Sequence, residues 1–122
     1  MTSAEERVAL VRSAYQAFNR RDIDAVLALL DPEVEWPNVA EASVLHGHQA
    51  IRDYWEDQFR RGDPHVEPTS FRWQGETLVV TVHQIIRDRQ GNQIRDGYVI
   101  HTYTFRGEQI VHMEVGANPN RP

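Results

Sequence analysis

The second half of the chain, between Thr69 and Val115, consists of four apolar or alternating stretches separated by three short turns. Each turn contains a glycine: Gln74-Gly75-Glu76, Arg89-Gln90-Gly91-Asn92 and Arg106-Gly107-Glu108. Period-two alternation is typical of β-strands that bury one face, and turns of this composition join neighbouring antiparallel strands. The pattern therefore predicts an antiparallel meander, in which 78–87 and 94–105 form a long hairpin.

Helical periodicity dominates the first half of the chain instead. Ser3 and Glu6 have the spacing of a capping box, and an apolar stripe with a period of three to four residues follows them. Asp22 has the character of a second N-cap, and a third helix is expected after Gly47. The apolar side of that third helix carries Ile51, Tyr54, Trp55, Gln58 and Phe59.

Helices that precede an antiparallel sheet indicate an α+β fold, with the helices packed on one face of a curved sheet. A short strand is expected at 34–36, where Pro37 restricts it to an edge or a strand end. We see no repeat, linker or composition shift, so we expect one domain spanning residues 1–122.

Composition excludes several kinds of chemistry. The 13 basic residues are all arginine, there is no lysine and no cysteine, and the net charge is −5. A Schiff-base lysine, a thiol nucleophile and a thiolate metal site are therefore impossible. The acidic balance argues against a nucleic-acid partner. Since no apolar run approaches the ~18 residues of a membrane span and the start of the chain is polar, we expect a cytoplasmic protein.

Four segments carry a resemblance to a known family: 15–22 (YQAFNRRD), 30–36 (LDPEVEW), 47–52 (GHQAIR) and 103–111 (YTFRGEQIV). They are similar to successive segments of SnoaL-like proteins of the nuclear transport factor 2-like superfamily, which includes ketosteroid isomerase and polyketide cyclases. The resemblance implies a cone-shaped curved sheet closed by N-terminal helices around an internal pocket. It also implies frequent homodimers.

Ketosteroid isomerase uses an Asp base with a Tyr and a protonated Asp as hydrogen-bond donors to the oxyanion. In the alignment that the resemblance implies, Tyr15 matches the tyrosine, whereas the base position falls on Trp36 and the protonated Asp on His101. Because the base is missing, we expect no steroid isomerisation by that mechanism. The contiguous pair Arg95-Asp96 is also a poor match to the Arg-x-Asp of limonene-type epoxide hydrolases.

Strand alternation identifies candidate pocket residues. Val99, His101, Tyr103 and Phe105 share one face of their strand, and this aromatic set is expected on the concave side. On the last strand, Val111, Met113 and Val115 are expected to face inward, and Ile110, His112 and Glu114 outward.

The preceding strand allows two registers. A four-residue turn that pairs Asp88 with Gln93 places Val80, Val82 and Gln84 beside His101, whereas a three-residue turn brings in Thr81 and His83 instead. We favour the first register because it buries more valine.

These positions define a candidate site. His101 is the predicted acid/base, since a near-neutral imidazole is the best proton acceptor that the predicted pocket offers, and Tyr15 is the predicted hydrogen-bond donor. Substrate contacts are expected from Trp36, Trp55, Phe59, Val82, Gln84, Val99, Tyr103 and Met113. We expect no cofactor, and His46 and His48 are expected to cap or face solvent rather than to bind a metal.

Two functions remain open at this point. One is a cofactor-independent cyclase or isomerase, which moves a proton next to a carbonyl of an apolar cyclic or polyketide-like substrate. The other is a non-catalytic small-ligand-binding or dimerisation module, which the missing carboxylate base favours. In either case we expect a homodimer through the outer sheet face, at Ile100, Thr102, Thr104 and Ile110, with His112 and Glu114 near the contact.

Overall fold

The computed structural model describes residues 3–39 and 41–117, and this part of the chain forms three helices and six strands. The helices are α1 (Ala4–Asn19), α2 (Ile23–Leu27) and α3 (Gly47–Arg61). The strands are β1 (Leu30–Asn38), β2 (Ser43–His46), β3 (Asp63–Gln74), β4 (Thr77–Arg87), β5 (Gln93–Arg106) and β6 (Gln109–Ala117). No helix within these residues is both long and apolar enough to cross a membrane.

The helices begin where the sequence predicts them. The Ser3 side chain accepts a hydrogen bond from the Glu6 amide, and the Glu6 carboxylate accepts one from the Ser3 amide, which completes the predicted capping box. Asp22 caps α2 by accepting from the Ala25 amide. The apolar side of α1 then buries Tyr15 against the sheet.

The six strands form one curved, unclosed sheet in the order β2-β1-β6-β5-β4-β3, with the helices packed on its concave face. This confirms the predicted α+β fold. Strands β3 to β6 form the expected antiparallel meander, but β1 pairs with β6 in the parallel direction. Strand β1 is longer than the predicted 34–36, and β2 was not predicted from the sequence.

Strand β3 starts at Asp63, six residues before the predicted start at Thr69. The early part contains Pro64 and Pro68, which argue against a strand in the middle of a sheet. Because β3 is the edge strand and pairs with β4 alone, each proline can turn its nitrogen away from the ladder.

The predicted register between β4 and β5 is confirmed. Val80 lies opposite His101, Val82 opposite Val99, and Gln84 opposite Gly97. Near the turn, a bulge makes Gln93 pair with Arg87 rather than with Asp88. The Asp88 side chain accepts hydrogen bonds from the amides of Gln90 and Asn92 and closes this loop.

The predicted outward orientation of Ile110 is wrong. Its side chain is fully buried, because a bulge at the start of β6 pairs Ile110 with Phe105 and His112 with Thr104. One extra residue in β6 therefore turns Ile110 into the core, where it lies opposite Leu30. The inward orientation of Met113 agrees with the prediction, and Met113 lies opposite Tyr103.

Candidate functional site

Two chambers that share part of their lining lie between the helices and the concave face of the sheet. The inner chamber has a volume of about 110 Å³, and the outer chamber, of about 770 Å³, opens beyond it. His101, Gln84 and Tyr54 line both chambers. His101 thus lies where the two chambers meet.

Three buried side chains form a hydrogen-bonded chain at this junction. The Tyr15 hydroxyl lies 2.8 Å from Nδ1 of His101, and the Tyr103 hydroxyl donates to the Tyr15 oxygen over 2.7 Å. The side chains come from the middle of α1 and from two inward positions of β5, and all three line the inner chamber. These hydrogen bonds bring together the two residues predicted to be catalytic, Tyr15 and His101.

The hydrogen-bonded chain couples the position of the Tyr15 proton to the tautomer of His101. When Tyr103 donates to Tyr15, the single Tyr15 proton is left to donate to Nδ1 of His101. Neutral His101 then carries its own proton on Nε2. Reversing both hydrogen bonds would instead place the proton on Nδ1 and leave a lone pair on Nε2.

Burial keeps all three groups neutral at pH 7. Desolvation lowers the pKa of His101 to about 4, since the imidazolium would lie in an apolar surrounding. Burial also raises the pKa of Tyr103, and it raises that of Tyr15 well above its ordinary value, with the neighbouring Tyr103 adding to the rise. The site is therefore a neutral donor-acceptor chain without an ion pair.

Aromatic rings form one wall of the inner chamber. Trp36 and Trp55 meet edge to face with ring centroids 5.5 Å apart, and Trp36 lies 6.4 Å from the Tyr103 ring. Such flat, rigid surfaces favour ring-shaped apolar ligands. Gln58, which donates to the Tyr54 hydroxyl, adds polar groups at the side where the outer chamber begins.

The family model described as "SnoaL-like domain" matches residues 11–113 of this chain. The chain belongs to the SnoaL-like domain family. Among curated proteins, none matches it significantly.

Several solved structures share the fold of this chain. TerC, co-crystallized with polyporic acid, is 21% identical with a TM-score of 0.81, and the match covers 93% of this chain and 92% of TerC. An NTF2-like protein of unknown function from Burkholderia pseudomallei is 24% identical, with coverages of 97% and 92% and a TM-score of 0.81. A candidate polyketide cyclase from Sinorhizobium meliloti is 18% identical, with coverages of 88% and 93% and a TM-score of 0.76. At these identities the likeness establishes the fold.

The structure places most of the predicted contact residues of this SnoaL-like domain around the inner chamber. Besides the catalytic candidates, they are Trp36, Trp55, Gln84, Tyr103 and Met113. Val99 lines the outer chamber. Two others lie outside both linings: Val82 is fully buried in the core, and Phe59 packs on the Phe18 ring and under the Arg21 guanidinium. Phe59 follows Trp55 by one helical turn, which carries it past the chamber.

Several lining residues were not assigned to the site from the sequence. Tyr54 and Gln58 share the apolar side of α3 with Trp55, and this spacing could have assigned them. Arg95 and Gly97 line the outer chamber and precede His101 by six and four residues. The same period-two alternation that selected Val99 would have found both.

The two histidines at the start of α3, His46 and His48, have partners within the protein. Nε2 of His48 lies 2.9 Å from the Leu30 carbonyl oxygen, and Nδ1 of His46 lies 3.6 Å from the Glu35 carboxylate. Within the described residues, no group of three or more histidine or acidic side chains is arranged to hold a metal ion.

Proposed function

We propose that this SnoaL-like domain moves a proton next to a carbonyl group of an apolar cyclic or polyketide-like substrate, without a cofactor. The observation that carries this proposal is the buried chain of Tyr103, Tyr15 and His101 at the junction of the chambers. The likeness to a candidate polyketide cyclase and to TerC, a protein co-crystallized with polyporic acid, supports a cyclic organic substrate.

The reactive form has both hydrogen bonds reversed, with Nδ1–H of His101 donating to Tyr15 and Tyr15 donating to Tyr103. Nε2 of His101 then takes the proton from the substrate carbon, and the Tyr103 hydroxyl donates to the carbonyl oxygen. As the C–H bond breaks, the Nδ1 proton passes to Tyr15, the Tyr15 proton to Tyr103, and the Tyr103 proton to the substrate oxygen. The products are a neutral enol and neutral His101 with its proton on Nε2, and both hydrogen bonds then run from Tyr103 to Tyr15 and from Tyr15 to His101.

This relay removes the main difficulty of a histidine base in an apolar pocket. With a pKa of about 4, His101 accepts a proton weakly and cannot stay charged at pH 7. Passing a second proton on through Tyr15 means that no imidazolium has to persist. Tyr15 therefore acts as the middle member of the relay, and Tyr103 replaces it as the donor to the substrate oxygen.

Deuterium exchange into 2-tetralone, a small bicyclic ketone with acidic protons beside its carbonyl, tests this proposal. We expect the wild type in D₂O to exchange these protons faster than buffer, and His101→Asn to lose 10²-fold or more, as is typical for a general base. His65→Asn is the matched control, because His65 is exposed on the edge strand. Exchange by His101→Asn at the wild-type rate would refute the role of His101.

A binding module without catalysis is the second candidate. Within the described residues, no carboxylate lines the inner chamber, and the low pKa of His101 makes it a poor base. In that case 2-tetralone would quench the fluorescence of Trp36 and Trp55 in a saturable manner, while its exchange stayed at the buffer rate.

We also propose that the outer face of the sheet forms a homodimer. Ile100, Thr102 and Thr104 keep part of their surface exposed on that face, whereas Ile110 does not belong to it. His112 bridges Glu35 and Glu114 beside this patch, with both contacts at 3.1 Å. Sedimentation equilibrium at micromolar concentration should give twice the monomer mass of 14.1 kDa, and Thr102→Arg should return the monomer.

A further inference from the structure

A row of inward-facing positions on β5 leads from the outer chamber to the proposed reaction centre. Arg95, Gly97, Val99 and His101 alternate along the strand with Asp96 and Tyr98, and residues of both sets border the outer chamber. Six residues of extended strand separate Arg95 from His101, which corresponds to roughly 20 Å between their Cα atoms. Arg95 thus marks the far end of the chamber from His101.

The Arg95 guanidinium has no partner within the described part of the protein. Most other arginines there bind a carboxylate, a carbonyl oxygen or an aromatic ring, as Arg21 binds Asp63 and Arg106 binds Glu33. Arg72 and Arg87 resemble Arg95 in lacking such a contact, but neither lines a chamber. The neighbouring Asp96 also borders the outer chamber, but its carboxylate is engaged by His83 at 2.5 Å.

The path from Arg95 to His101 crosses an open stretch at Gly97. A Cβ atom added at Gly97 would meet no atom within 4 Å, so nothing fills the space above this residue. On either side of it along the strand, the larger side chains of Arg95 and Val99 line the chamber. A flat or rod-shaped ligand could therefore lie along β5 over Gly97.

The inner chamber is too small to hold a large ligand by itself. Its volume of about 110 Å³ is below the ~150 Å³ of a protein cavity known to bind benzene. A ligand with one ring against Trp36 and Trp55 must extend its remaining atoms into the outer chamber. The extension then runs toward Arg95.

We propose that the substrate is an elongated organic anion, with an apolar ring beside His101 and an acidic group that pairs with Arg95. This inference rests on the ligand site of the proposed function, and it adds the class of substrate and a specificity-determining residue. A carboxylate, sulfonate or acidic enol would meet the same guanidinium, which donates hydrogen bonds to any planar or tetrahedral anion. Arg95 does not touch the reacting atoms, so its effect falls on binding.

Two probes of the same shape test the anion site by calorimetry. Biphenyl-4-carboxylate carries the charge, and biphenyl-4-carboxamide is its neutral counterpart. We expect the wild type to bind the carboxylate about fivefold more tightly, which corresponds to the upper end for an exposed ion pair, with the preference decreasing as salt is added. Arg95→Gln should remove the preference, whereas the matched control Arg87→Gln should retain it.

A second variant tests the path over Gly97. Gly97→Val should lower the affinity for both probes about tenfold, since the new side chain fills the space that the ligand occupies. The ratio of the two affinities should not change. Equal binding of both probes by the wild type, no saturable binding of the carboxylate, or a preference retained in Arg95→Gln would each overturn the anion site.

These outcomes are separate from the test of catalysis. 2-Tetralone has no charge, so its exchange tests proton transfer without the anion site, and we expect the control Arg87→Gln, which lines neither chamber, to exchange it at the wild-type rate. If the wild type exchanges 2-tetralone no faster than buffer but still prefers the carboxylate probe, only the proposed proton transfer is refuted. The reverse result would refute the anion site alone.

Discussion

The two faces of the sheet use histidine in opposite ways. On the concave face, His101 is buried with two tyrosines and has no acidic partner. On the convex face, each of four histidines lies within 3.6 Å of a carboxylate: His46 with Glu35, His65 with Glu67, His83 with Asp96, and His112 with Glu35 and Glu114. The two faces of one sheet thus separate a neutral, desolvated histidine on β5 from histidine-carboxylate pairs on its other strands.

This difference shows what the pocket excludes. A carboxylate beside His101 would favour the imidazolium and make it a stronger base, but it would also bring a charge into the apolar chamber. Neutral phenols hydrogen-bond the ring without adding charge. The concave face therefore suits apolar ligands, and the mechanism must move protons without separating charge for long.

The largest expected effect is the loss of exchange activity in Tyr103→Phe, compared with Tyr98→Phe. Tyr103→Phe removes the donor at the end of the relay and should lower exchange into 2-tetralone by 10²–10³-fold, as is typical when one oxyanion donor is lost. Tyr98 borders the outer chamber, but its ring stacks on His83 with centroids 4.8 Å apart and takes no part in the relay. Proton NMR in D₂O should show wild-type exchange in Tyr98→Phe, and equal losses in the two variants would contradict the relay.

The next effect concerns stability against pH. Unfolded His101 binds a proton below about pH 6.5, whereas the folded protein resists protonation until about pH 4. Stability should therefore be complete above pH 6.5 and fall as the pH decreases toward 4. The shift corresponds to a loss on the order of 3 kcal/mol in the free energy of unfolding.

Urea unfolding at several pH values measures this loss. Because acidic residues also titrate in this range, the relevant quantity is the stability difference between the wild type and His101→Asn. Between pH 6.5 and pH 4, the free energy of unfolding of the wild type should fall by about 3 kcal/mol more than that of His101→Asn. A constant difference would mean that His101 is not desolvated, and His65→Asn should follow the wild type.

The smallest effect is expected from breaking a histidine-carboxylate pair on the convex face, measured as a change in the free energy of unfolding. Glu67→Gln removes the charge beside His65, whose nearest nitrogen lies 3.2 Å from the carboxylate. Both side chains are exposed, so the free energy of unfolding should change by less than about 1 kcal/mol. A change of 2 kcal/mol or more in the same urea assay would mean that the convex pairs contribute more to stability than exposed ion pairs do.

Much of the fold could be predicted because local signals were strong. The capping box at Ser3 and the cap at Asp22 defined two helix starts, and the choice that buried more valine selected the correct register between β4 and β5. The position of Ile110 failed because a bulge adds a residue and reverses the alternation, and no residue type in that strand signals the bulge. The early start of β3 was hidden by prolines that only an edge strand tolerates.

The sequence by itself determined which residues share a face. Alternation placed His101 and Tyr103 together on the inner side of β5, because side chains of a strand point to opposite faces in turn. Only the tertiary structure decided that the Tyr15 hydroxyl lies between them, since this contact joins positions 86 and 88 residues apart. It also decided that Arg95 meets the outer chamber without a partner. Hydrogen-bond direction, burial and empty space depend on how α1, α3 and the curved sheet pack, and no local pattern encodes them.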